Sequence, residues 1–313
     1  MFVNKLIEFI KEKNSPIVVG LDPRIELIPN VVKDKYFKKY GKTFKGAAEA
    51  ILEFNKEIID SVYDIIPAVK PQIAFYEQYG IEGLKVYNET CKYASVKGLL
   101  VIGDIKRGDI GSTSKAYSNA HIGKTEVEGE SLEAFYSDSI TVNPYLGDDC
   151  LKEFVGDIEQ YEKGMFILVK TSNPTSSQLQ DLVVEGRKIY EKVAGIVNEW
   201  SSKYIGKYNY SSIGAVVGAT YPEEAKNLRN LMPSSYFLVP GYGAQGGTAE
   251  DVIHNFNEDG LGAIVNSSRG IIFAYKKEKK WSEEDYGKAA REAAINMRDD
   301  INKTLESHGK KYW

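Results

Sequence analysis

Two cysteines and three histidines are all that 313 residues offer of the thiol and imidazole ligands that zinc sites use. Cys91 and Cys150 stand far apart with no C-x-x-C motif, and His121, His254 and His308 have no metal-ligand spacing, so neither a disulfide framework nor a zinc site is expected. No apolar run reaches membrane-spanning length, and the opening MFVNKLIEFIKEKN is amphipathic and charged, without the apolar segment of a signal peptide. A reducing cytoplasm is the expected location. Excess charge of one sign is missing too: 40 Lys and Arg face 44 Asp and Glu, net −4 and interspersed, which argues against nucleic acid or an anionic membrane as partner. Any phosphate must be met by a local site. With 42% hydrophobic and 27% charged residues, the chain has ample material for a core, and global disorder is excluded.

What is present is a rhythm. Short runs rich in Val, Ile, Phe and Leu recur at 17–22, 68–75, 99–106, 139–145, 165–172, 213–220, 236–243 and 262–269. Each begins almost continuously apolar, as buried parallel strands do. Segments of helical periodicity lie between them, among them 46–64, 175–203 and 221–233, with 283–308 as a last helix. Strand then helix, eight times over, is the arithmetic of a parallel (β/α)8 TIM barrel, class α/β. A doubly wound open sheet is the competing topology, and it would gather ligands at the same strand ends. No linker composition, low-complexity tract or longer repeat interrupts the pattern, so residues 1–313 are expected to form one domain. Segments 23–45 and 121–130 are long for βα connections and are expected as insertions around the mouth.

Polar residues crowd the carboxyl ends of the runs: Asp22, Lys70, Asp104 with Lys106, Asn143, Ser172 with Asn173, Gly241 with Gln245, and Arg269. In a barrel all of these open on one face, which holds the active site. Asp104 and Lys106, two residues apart, leave the same side of a strand with Cα atoms roughly 6.6 Å apart. Asp109 follows where the chain must leave the strand, and Lys70 ends the preceding one. Two carboxylates and two ammonium groups packed this way hold one another ionised and keep a lysine protonated, which suits making and quenching a carbanion. Structural readings stand beside it: Asp109 as the N-cap of a helix opening at Ile110, Lys70 reaching out over the rim, and the whole as an ion-pair network. Schiff-base chemistry is disfavoured, because it needs a lysine neutralised by burial or a neighbouring cation and Lys106 has the carboxylate Asp104 two residues before it.

The seventh and eighth runs end in PGYGAQGG (240–247) and NSSRG (266–270). Barrels commonly bind phosphate with these two loops. The glycines let the backbone approach an anion or swing as a lid, Gln245 offers an amide, and Arg269 can fork onto phosphate oxygens. Residues 241–246 also satisfy G-x-G-x-x-G, but a dinucleotide site needs that motif in the first βα turn, so the match is set aside. A glycine-rich turn with Arg269 in a surface pair is the plain alternative.

In these motifs the sequence resembles the orotidine 5′-phosphate decarboxylases. Asp104-Ile105-Lys106-Arg107-Gly108-Asp109-Ile110 looks like that family's Asp-x-Lys-x-x-Asp-Ile signature, supported in register by Gly20-Leu21-Asp22, Lys70, Thr171-Ser172-Asn173, the 240–247 lid and Arg269. The 23–45 insertion and the phrases at 169–174 and 266–270 are similar to its longer subgroup; Ser268 stands where shorter members commonly have glycine. The resemblance implies conversion of orotidine 5′-monophosphate to uridine 5′-monophosphate and carbon dioxide, without cofactor or metal. It implies that Lys106 protonates C6, that Asp104 sits beside the departing carboxylate, and that Lys70 and Asp109 complete a charged tetrad. It further implies Asp22 and Lys70 at the ribose, Thr113 near the ribose of a partner subunit's ligand, Ser172 at the pyrimidine edge, Gln245 and Arg269 at the phosphate, and Asn143 and Pro240 among the substrate contacts. Since the residue matching Asp109 comes from the neighbouring subunit in that family, a homodimer with shared sites is implied. The runners-up are a magnesium-dependent sugar-acid phosphate decarboxylase of the 3-keto-gulonate 6-phosphate type and a non-catalytic phosphate-ligand sensor.

Overall fold

The computed structural model describes every residue except Ala244, Gln245 and Tyr312. Eight parallel strands close into a barrel: β1 (Ile17–Leu21), β2 (Ala68–Pro71), β3 (Leu100–Arg107), β4 (Ser139–Val142), β5 (Gly164–Lys170), β6 (Ser211–Val217), β7 (Ser235–Pro240) and β8 (Ala263–Ser267). They pair in chain order around the ring, and β8 closes onto β1 through Ile17 opposite Val265. The (β/α)8 expectation is borne out, with every expected run holding one strand.

Side chains alternate along each strand, and the two sets do different work. Outward residues such as Ile17, Val19, Val69, Val101, Ile140, Ile167, Val217, Val239 and Val265 pack under the ring of helices. Inward residues change character along the barrel axis. Val18, Ala68, Leu100, Ile102, Phe166, Tyr236 and Ile264 form an apolar plug near the strand starts. Further along the same inward positions come Asp22, Lys70, Asp104, Asn266 and Ser268, which line a cavity at the other end. A period of two, read strand by strand, therefore builds both a stable bottom and a charged top.

The opening segment closes the bottom. Phe2–Glu12 is a helix whose Phe2, Val3, Leu6, Ile7 and Ile10 are buried against the plug, Phe2 meeting Phe166 edge to face at 6.0 Å between centroids. Each such side chain contributes roughly 1.5–3 kcal/mol by leaving water.

Three segments refine the expected layout. The 23–45 insertion holds a 3-10 turn, Ile25–Leu27, and a helix, Asn30–Tyr40, on the mouth side, tied down by Tyr275 Oη donating to Leu27 O at 2.6 Å. Residues 121–130 lead into a hairpin pairing Thr125–Val127 with Glu130–Leu132. The helix expected over 175–203 is not continuous. Ser177–Gln180 makes one turn, Val183–Val184 pairs with Arg187–Lys188, and only Ile189–Ser201 is a full helix. The reason is local: both hairpins turn on Glu-Gly, Glu128-Gly129 and Glu185-Gly186, with positive φ at all four residues, the geometry that reverses two strands in two residues. The final helix is Tyr286–Ser307, preceded by the turn Glu283–Asp285.

Candidate active site

Strand ends β1 to β8 surround a cavity of about 510 Å³. At its centre lies Asp104. Its Oδ2 accepts from Lys70 Nζ at 2.7 Å; its Oδ1 accepts from Lys106 Nζ at 2.5 Å and from Thr141 Oγ1 at 2.9 Å. Burial alone would push the Asp104 carboxyl upward, but Lys70 and Lys106 outweigh it and hold the group well below the usual carboxylate range. Burial likewise works against the Lys70 ammonium, and Asp104 with Asp22 more than offsets it, so its pKa is raised. Both partners are therefore ionised in the neutral range.

The backbone at Lys106 shows how the array is aimed. Between β3 and β4 the register jumps: Gly103 faces Ile140, yet Arg107 faces Val142, so four steps on β3 oppose two on β4. Lys106 lies in this bulge at φ +48°, a left-handed conformation costing a β-carbon residue roughly 1 kcal/mol or more. Its N–H donates not to the ladder but to Thr141 Oγ1 at 3.0 Å. Thr141 thus joins the bulge to the carboxylate it also serves. Backbone strain held by specific hydrogen bonds is common at functional sites.

Around this centre the walls are divided. Leu168, Val216 and Leu238 supply apolar surface. Asp22 and Asn266 line the cavity, and each buries an Oδ1 that has no hydrogen-bond partner among the described residues. Ser268 sits over Gly20: a Cβ added there would fall 1.9 Å from Ser268 Oγ, so serine at 268 is accommodated because residue 20 has no side chain. Arg269 is exposed on the cavity rim and, among the described residues, has no carboxylate partner. Pro240 and Gly241 line the same rim, and Tyr242 ties the root of the glycine-rich loop to the final helix, its Oη donating to Asp300 Oδ2 at 2.6 Å. Gln245 lies outside the described residues.

The sequence-selected residues thus separate into two groups. Asp22, Lys70, Asp104, Lys106, Ser172, Pro240 and Arg269 meet at the cavity. Asp109, Thr113 and Asn143 do not line it. Asp109 Oδ1 accepts from the adjacent Ile110 N–H at 2.8 Å, Thr113 is exposed in the first turn of helix Gly111–His121, and Asn143 Oδ1 accepts from Tyr145 N–H at 3.0 Å. The helix starts one residue later than the capping idea required, with Ile110 as its N-cap. Thr141 and Asn266 were not singled out from sequence, though each sits two residues before a selected position or its neighbour on the inward face, where a strict period of two would have found it. Among the described residues, no group of three or more His, Cys, Asp or Glu side chains is placed to hold a metal.

Opposed charges buried at the strand ends of a closed parallel barrel, beside an arginine-bearing rim, place this chain among the (β/α)8-barrel enzymes. Within that class it belongs to the orotidine 5′-phosphate decarboxylase / HUMPS family, whose model matches residues 15–283. It is 45% identical over 304 residues to the orotidine 5′-phosphate decarboxylase of Caldicellulosiruptor bescii, covering 97% of this chain and 99% of the relative. It is 42% identical over 306 residues to that of Clostridium acetobutylicum, covering 97% and 100%. The OMP decarboxylase structure from Leishmania donovani superposes with a TM-score of 0.70 at 30% identity, covering 97% of this chain and 98% of that one.

Proposed function

We propose that this protein decarboxylates orotidine 5′-monophosphate to uridine 5′-monophosphate and carbon dioxide, the closing step of UMP synthesis. The observation that carries this reading is Asp104, gripped on both oxygens by Lys70 and Lys106 inside the cavity. The substrate carboxylate would enter beside Asp104. Its bond to C6 breaks, carbon dioxide departs, and the electron pair left at C6 takes a proton from Lys106 Nζ, which water later restores. The neighbouring ammonium groups favour negative charge developing at C6, and the repulsion from Asp104 vanishes as the carboxylate leaves. The pyrimidine itself is the electron sink, so the reading includes no cofactor or metal.

Arg269 would hold the phosphate, together with Gln245 and nearby backbone N–H groups. Asp22 and Lys70 would meet the ribose, and Ser172 the pyrimidine edge. Asn143 and Pro240 are carried as further substrate contacts, Asn143 with less support because its side chain caps its own turn.

Asp109 and Thr113 do not line their own chain's cavity, which supports a homodimer in which each subunit supplies these two residues to its partner's site. The exposed Ile110, Tyr145 and Leu146 beside them give that contact apolar surface. We also propose that residues 1–313 form one domain, since one barrel carries the whole site, and that the enzyme works in the cytoplasm, in keeping with two free, buried cysteines.

The test is the loss of orotidine 5′-monophosphate ultraviolet absorbance on adding purified protein, with and without a chelator. Conversion to uridine 5′-monophosphate that survives the chelator is expected. No conversion by folded protein would overturn the reading, and conversion abolished by the chelator would favour a magnesium-dependent relative.

A further inference from the structure

The segment Thr171–Asn173 leaves β5 and lines the cavity, beyond the reach of the sheet's own ladder. Its backbone is held instead by the inserted stretch that follows. Thr171 N–H donates to Gln180 Oε1 at 3.0 Å, and Gln180 Nε2 donates to Thr171 Oγ1 at 2.7 Å. That hydroxyl in turn donates to Asn173 Oδ1 at 2.6 Å. A backbone N–H on one side and an accepting hydroxyl on the other leave the Gln180 amide a single satisfied orientation.

The glutamine is itself anchored. Its neighbour Asp181 receives Lys170 Nζ on both oxygens, at 2.9 and 3.0 Å, and Lys170 is completely buried with its ammonium 4.5 Å from the Tyr221 ring centre. Losing Asp181 would leave a fully buried ammonium without its carboxylate, which is costly. On the opposite side, a Cβ at Gly218 would lie 2.9 Å from Ser172 Cα, while Thr220 Oγ1 and Tyr221 Oη donate to the carbonyls of Ser172 and Asn173, each at 3.3 Å. The segment is clamped between the insertion and the end of β6.

We infer that Gln180 is a positioning residue: it fixes Thr171–Asn173 so that this segment meets the base of the bound nucleotide. The inference rests on the proposed function and extends it to a residue that does not line the cavity. Gln180 acts through Thr171, on the side of the site away from Arg269, so its loss affects recognition of the base and leaves recognition of the phosphate intact.

The experiment compares two competitive inhibitors, uridine 5′-monophosphate, which carries a base, and ribose 5-phosphate, which does not. In Gln180→Ala the inhibition constant for uridine 5′-monophosphate rises about tenfold, the loss of one to two hydrogen bonds, while that for ribose 5-phosphate stays within about twofold. Gln180→Glu, which keeps an acceptor for Thr171 N–H, recovers most of the loss. Parallel weakening of both inhibitors, or unchanged binding of uridine 5′-monophosphate in a folded variant, overturns the inference. Wild-type protein that fails to bind uridine 5′-monophosphate overturns the functional reading as well, and so separates the two failures.

Discussion

Lys70 and Lys106 hold opposite oxygens of one carboxylate, yet the Lys70 side chain is 5% exposed and that of Lys106 is 44% exposed. One ammonium is locked into the barrel wall and the other stands open to the cavity. The difference assigns them different duties. Removing the partner of a buried charge costs roughly 3–5 kcal/mol, whereas a half-exposed pair contributes about 1 kcal/mol or less. Lys70→Met is therefore expected to lower the urea midpoint markedly and Lys106→Met only slightly. Equal midpoints for the two variants would contradict the division of labour.

Arg269 is exposed and free of carboxylate partners among the described residues, so Arg269→Ala should fold as the wild type does. Losing a two-pronged contact to phosphate is expected to lower kcat/KM on the order of a hundredfold. Orotidine without its phosphate should lose kcat as well as affinity, because remote binding energy is what would close the glycine-rich loop and exclude water. Similar maximal rates for orotidine and its phosphate ester would show that the rim plays no such part.

The strand order, the inward cavity residues and the rim were legible because a period of two and the clustering of polar residues at strand ends are local signals. Across 175–203 the helical period at both ends masks the two-residue reversal at Glu185-Gly186, which is why one helix is expected and a hairpin is found. The period of two marks Thr141 as inward-facing, but its double role, donating to Asp104 and accepting from the bulged Lys106 N–H, depends on how two strands pair and is not a local signal. Asp109 stands out by its spacing from Asp104 and Lys106 and Thr113 only by family resemblance, and neither lines its own chain's cavity.

His121 is buried, stacked on Phe135 at 5.1 Å, with Nδ1 lacking a partner among the described residues. Burial, and then Arg107, lower its pKa from 6.5 to about 4. The unfolded chain thus takes up a proton on this residue before the folded one does, so stability falls as pH drops through that window. At pH 4.5 the loss attributable to His121 should be roughly 2–3 kcal/mol. His121→Phe, which keeps the stacking, is expected to flatten urea midpoints between pH 7 and 4.5. The stability supplied by Asp104, whose pKa is also lowered, is present above about pH 4 and is lost only in stronger acid. A wild-type slope persisting in His121→Phe would place the acid-sensitive group elsewhere.

Shared sites make a prediction that no single-chain mechanism makes. Asp109→Ala subunits and Lys106→Ala subunits, each inactive alone, should regain part of the wild-type rate when mixed and re-associated, because one of the two sites in a mixed dimer is intact. A demonstrably mixed dimer with no activity would count against the exchange of Asp109.

The most direct measurement concerns the proton. Lys106→Ala should fold, bind uridine 5′-monophosphate within a few-fold of wild type, and lose at least about 10²–10⁴ in turnover of orotidine 5′-monophosphate, the range that a positioned proton donor supplies. Near-wild-type turnover by the folded variant would contradict the assignment of Lys106 and, with it, the account of the charged cluster.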